Sequence, residues 1–77
     1  MSKLTLTDAK TIEKILLRLG FKIVRQKGSH VFYRHSDGRY TTLPHHSSED
    51  IGRSLIRQIL KQIEITPEEY QNLLKEF

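Results

Sequence analysis

Seventy-seven residues with thirteen Lys and Arg against nine Asp and Glu give a net charge of +4, on a chain short enough that folding buries only roughly 60 to 65% of the surface its unfolded form exposes. That size argues for one domain, residues 1–77, and against a deep enclosed pocket. The absence of cysteine excludes a disulfide framework and a thiolate metal site and suits a reducing cytoplasm, while the longest aliphatic run, Ile15-Leu16-Leu17, and the polar opening "MSKLTLTD" point away from a membrane span and an export signal.

In chain order, Ile12, Ile15, Leu16 and Leu19 recur at helical spacing, with Lys10, Lys14 and Arg18 on another face, which predicts an amphipathic helix over 8–19. Thr7 or Asp8 suits its start and Gly20 its end. "FKIVRQ", "HVFYRH" and "RYTTL" follow, separated by "KGS" and "SDG". They read as three short strands of an antiparallel meander, with Asp37-Gly38 a strong hairpin signal. Pro44 closes the third strand, and Ser47 or Ser48 is placed to start a single turn in the loop "HHSSEDIG". From Arg53 to Ile63 a second helical stripe (Leu55, Ile56, Ile59, Leu60, Ile63) runs beside a ridge of Arg53, Arg57 and Lys61 at steps of four. Thr66-Pro67-Glu68-Glu69 then forms a capping box with proline at the first helical position, opening a last helix through Tyr70, Leu73, Leu74 and Phe77.

The expected fold class is therefore α+β: an α-β-β-β-α order with a short extra C-terminal helix, and both amphipathic helices on one face of a three-stranded antiparallel sheet. Double-stranded-RNA-binding domains share this order and one-sided packing. Charge divides along the chain: residues 10–39 sum to +6, and residues from Glu64 onward to −3. A basic first half on a chain of pI 9.6 fits a polyanionic partner, and the acidic end would stand clear of it.

His30, at the mouth of the second strand, is the sharpest candidate for chemistry. Gly28 allows a tight turn or a close backbone approach to a phosphate, Ser29 adds a hydroxyl, and Arg25 and Lys27 bring positive charge beside the imidazole. Cleavage of RNA by its own 2′-hydroxyl needs such a set: a base that works near neutral pH, and cations for the charge that builds on phosphorus oxygens. The plainer reading is a hydrogen-bonding histidine at a strand rim, and the residues alone leave both open. His35, His45 and His46 invite a metal, but no metal is expected: no ligand pair stands at i, i+4, His45 and His46 are adjacent and point apart if extended, and there is no cysteine. His35 suits a hairpin cap. His46 and the ridge Arg53, Arg57 and Lys61 are possible RNA contacts, the ridge being equally a solvated helix face. Of Phe32 and Tyr33, which face opposite ways, one belongs to the core and the other to the surface.

The helix ending in "LGF", then "VRQKGSHVFYRHSDGR", "TLPHH" and "LIRQILKQIEITPEEY" together resemble the HicA toxins, the YcfA-like mRNA interferases of HicAB toxin-antitoxin systems, from about Asp8 to Leu74. The resemblance implies a double-stranded-RNA-binding-like fold and a metal-independent endoribonuclease acting on mRNA, with no cofactor. It also implies a cognate HicB-like antitoxin as partner. It puts the family's catalytic histidine on His30 through "GSH", with Gly28 and Ser29 as its motif neighbours, and a second histidine on His46. Arg25, Lys27 and Arg34 are then the supporting phosphate-binding residues. The alternative is a non-catalytic RNA-binding module of the same fold, which would bind RNA without cutting it.

Overall fold

A computed structural model describes residues 4–45 and 49–77. Its elements are α1 (Ala9–Arg18), β1 (Lys22–Lys27), β2 (His30–Arg34), β3 (Tyr40–Pro44), α2 (Arg53–Ile63) and α3 (Pro67–Leu74). The three strands form one antiparallel sheet in the order β1-β2-β3, so the expected α+β architecture is the observed one.

Asp8 is the cap of α1, its carboxylate accepting from the Thr11 N–H at 2.9 Å. At the other end Gly20 takes φ +101, and the Phe21 and Gly20 N–H groups return to the Leu16 and Leu17 carbonyls at 2.9 and 3.1 Å, closing the helix in a Schellman turn. The reversal leaves the Leu19 carbonyl to be met by His35 Nε2 at 3.2 Å. His35 also receives the Asp37 N–H at Nδ1, at 3.1 Å, so this histidine does cap the hairpin, and it fastens the β2–β3 turn to the end of α1. Arg39 is occupied in the same corner: it donates to the Ile63 carbonyl at 2.5 Å and lies over Phe21, 5.2 Å from the ring centroid.

Ile12, Ile15 and Leu16 of α1 and Ile56, Ile59, Leu60 and Ile63 of α2 are buried against Val31, Tyr33 and Leu43 of the sheet. Burying a side chain of this size contributes about 1.5–3 kcal/mol, so this shared layer is what holds the helices on one face. The cover is incomplete. All six β1 residues are exposed, because the two helices span only β2 and β3; Ile23 and Val24 remain about half accessible.

The capping box of α3 is formed in both directions, Glu69 N–H to Thr66 Oγ1 at 3.1 Å and Thr66 N–H to Glu69 Oε1 at 3.0 Å. Tyr70 anchors the helix by donating to the Thr5 carbonyl. The helix ends at Leu74, one turn earlier than the apolar spacing suggests, and Phe77 stands beyond it, half exposed. The turn expected at Ser47 or Ser48 lies outside the described residues.

Candidate active site and nucleic-acid interface

The position of His30 is set by the turn before it. Lys27 and His30 pair across the two residues Gly28 and Ser29. Gly28 has φ +60, while Glu64 is the only described non-glycine residue with positive φ, so the turn has the sign pattern of type II′, whose twist matches that of the strands it joins. A Cβ at Gly28 would meet nothing within 4 Å. The glycine is therefore required by its dihedral angle, not by crowding.

A turn of this length pins the register, and the pleat does the rest. Val31 and Tyr33 point into the core, whereas His30 and Arg34 are exposed and Phe32 is half-buried on the opposite, open face. Tyr33 is thus the core aromatic and Phe32 the surface one.

This hairpin also carries a bulge, within β1. In β1, Lys22 pairs with Arg34 and Ile23 with Tyr33; the register then shifts, and Arg25, Gln26 and Lys27 pair with Phe32, Val31 and His30. Val24 is the extra residue. Opposed residues share a face, so the bulge carries Lys22, Arg25 and Lys27 all onto the face of His30, although strict alternation would set Lys22 against the other two. On the far side, Pro44, Thr42 and Tyr40 of β3 oppose His30, Phe32 and Arg34. The open face thus has three rows: Lys27, His30, Pro44; Arg25, Phe32, Thr42; Lys22, Arg34, Tyr40. It carries four cations and no carboxylate. The Arg25 guanidinium lies 5.7 Å from the centroid of Phe32, and the Phe32 and Tyr40 rings are 6.1 Å apart.

Behind this face lies a second polar cluster. Tyr33, fully buried, donates its hydroxyl proton to Glu13 of α1. With that proton committed, His45 Nε2, 2.9 Å from the same oxygen, must be the donor in its own bond. Burial, reinforced by the bond to Glu13, pushes the Tyr33 phenol far above its ordinary value of 10.0. The His45 backbone N–H donates to the Ser29 carbonyl at 2.6 Å. The cluster therefore ties α1, the middle strand and the end of β3 to the turn that presents His30. Nothing in the sequence marks it, since positions 13, 33 and 45 belong to no common motif.

Of the residues singled out in the sequence, His30, Arg25, Lys27 and Arg34 come together on the open face, with Gly28 and Ser29 forming the turn at its edge. Lys22 joins them. His46 lies outside the described residues. Arg53, Arg57 and Lys61 are exposed on α2, and Arg57 and Lys61 border a hollow with Leu4, Leu60, Ile65 and Pro67; this ridge belongs to the helical layer and is not brought to the face of His30. Among the described residues no three His, Asp or Glu side chains converge as metal ligands, and no helix is long and apolar enough to cross a membrane.

A small α+β protein whose sheet is helix-covered on one side and basic on the other is thus defined by fold and charge. A family model described as "HicA toxin of bacterial toxin-antitoxin" matches residues 9–65, from the first residue of α1 to just past the end of α2. The chain belongs to the HicA toxin family: it is a toxin of a toxin-antitoxin system, and the family implies an antitoxin partner. α3 lies beyond the matched span. No curated protein matches the chain.

Proposed function

We propose that this toxin acts as an endoribonuclease on mRNA, with His30 as general base. The observation that carries the reading is the β1 bulge, which gathers Lys22, Arg25 and Lys27 on the face of the exposed His30, with Arg34 completing the set. The imidazole takes the proton of an RNA 2′-hydroxyl. The 2′-oxygen attacks the adjacent phosphorus, the bond to the 5′-oxygen breaks, and a 2′,3′-cyclic phosphate and a 5′-hydroxyl end result. The departing 5′-oxygen takes its proton from the imidazolium just formed or from water. Lys27, directly opposite His30, with Arg25 and Arg34, offsets the charge that grows on the nonbridging oxygens. Base and counter-charge both come from side chains, so the reaction calls for no metal. A HicB-like antitoxin would silence the enzyme by covering the basic face.

The test is growth. Induced wild-type toxin should arrest cells, co-expression of the cognate antitoxin should restore them, and His30→Ala, at equal protein level, should not arrest them. Arrest by the His30→Ala variant equal to wild type would remove His30 from the mechanism. A second reading, RNA binding without cleavage, has the same basic face and its outward-facing rings in its favour and predicts arrest without RNA fragments.

A further inference from the structure

We infer that the RNA bound here is single-stranded, laid across the open face of the sheet with unpaired bases stacked on Phe32 and Tyr40. The inference rests on the ribonuclease reading and deepens it by naming the form of the substrate. Three observations lead to it. The first is the location of His30 on the middle strand, facing out from the flat side of the sheet. Attack of a 2′-oxygen requires it to line up behind the phosphorus, opposite the departing 5′-oxygen, and a regular A-form helix holds the sugar and phosphate out of that line. An unpaired nucleotide can swing into it.

The second observation is aromatic. Phe32 is half-buried and Tyr40 is 46% exposed, their rings are 6.1 Å apart and tilted by 38°, and both share the face of His30. A paired base inside a duplex has its two flat surfaces covered by its neighbours, so rings of this kind can be used only by bases out of the stack. The third is the arrangement of charge. Along β2 the outward side chains run imidazole, aromatic ring, guanidinium, at steps of about 6.6 Å. With Arg25 flanking Phe32 and Lys22 flanking Arg34, phosphate-binding groups alternate with a stacking surface, as an extended strand of alternating phosphate and base requires. The Arg53, Arg57 and Lys61 ridge lies in the helical layer and does not extend this surface.

The experiment uses the full chain carrying His30→Ala, so that bound RNA stays whole. Its affinity is measured for a labelled, unstructured oligoribonucleotide and for the same strand annealed to its complement. The single strand should bind at least about ten-fold more tightly. Tyr40→Ala in that background should weaken single-strand binding about five-fold or more, the scale of one lost stacking contact, while Tyr40→Phe should stay near the parent. Because Tyr40 is nearly half exposed and lies outside the buried core, each variant should melt within a few degrees of the parent, and melting curves check this. Equal or tighter binding of the duplex overturns the inference. So does loss of affinity on Arg57→Ala with none on Tyr40→Ala, which moves the RNA to the helical layer. Failure to bind either RNA makes the face a protein-docking surface and overturns it as well. The ribonuclease reading fails separately: no cleavage by the wild-type chain, with the binding pattern intact, would remove the chemistry and leave the single-strand surface standing.

Discussion

At the scale of single residues, Tyr33 and His30 show how one strand divides its work. They are three apart on β2, one fully buried and one exposed, and the cluster around Tyr33 reaches the turn before His30 through the His45 N–H on the Ser29 carbonyl. Tyr33→Phe removes the hydroxyl that bridges Glu13 and His45, leaving only their direct contact at 3.6 Å. Their side chains are 28% and 23% exposed, so water can reach them, and the expected loss is about 1–2 kcal/mol, the lower part of the range for a stranded partner. It is to be read as a lower urea midpoint at unchanged slope. The same tyrosine shapes the alkaline limit. Its phenol in the folded state titrates far above the ordinary 10.0, and burial raises Tyr70 to about 12. Above pH 10 the unfolded chain therefore loses phenolic protons that the folded chain keeps, and stability must fall as pH rises. Melting temperature should hold up to about pH 10 and decline beyond it, with the decline shallower in Tyr33→Phe.

At the scale of elements, the helices and turns were legible because their signals are local. The stripe from Arg53 to Ile63 gives α2 to the residue, the capping box gives the start of α3, and "KGS" gives the turn before His30. The bulge was not legible. "KIVRQK" reads as plain alternation, and only pairing against β2 reveals Val24 as the surplus residue; this is why Lys22 does not stand out as a site residue in the sequence. Nor does periodicity tell Phe32 from Tyr33, a choice made by where the helices dock. The cluster of Glu13, Tyr33 and His45 joins three distant segments, so no spacing could announce it. The two turns flanking β1 give a graded prediction. Gly28→Ala should cost about 1–2 kcal/mol, the price of a left-handed alanine, since its Cβ meets open space. Gly20→Ala should cost more, because a Cβ there comes within 3.0 Å of His35 Nε2, the atom that meets the Leu19 carbonyl. Equal urea midpoints for the two variants would contradict the role given to His35.

At the scale of the whole molecule, the two layers of the fold sort the charge. The open sheet face holds Lys22, Arg25, Lys27 and Arg34, while the acidic end of the chain folds back on α1, where Glu76 pairs with Arg18 at 2.7 Å. The net +4 understates what an approaching polyanion meets on the sheet side. If those four cations meet four phosphates of a single strand, the logarithm of affinity should fall with the logarithm of salt at a slope of about −3. Arg25→Ala should make that slope shallower by roughly 0.7. A slope near zero would mean that the basic face is not the RNA contact.

The most direct test of the central claim is cleavage of a labelled RNA by purified protein in excess EDTA, wild type beside His30→Ala. The wild type should still cut, giving fragments with 2′,3′-cyclic phosphate and 5′-hydroxyl ends, and His30→Ala should lose at least about a hundred-fold in rate with an unchanged melting curve. Cutting by the folded His30→Ala protein at the wild-type rate, or cutting by the wild type that stops with the chelator, would contradict it.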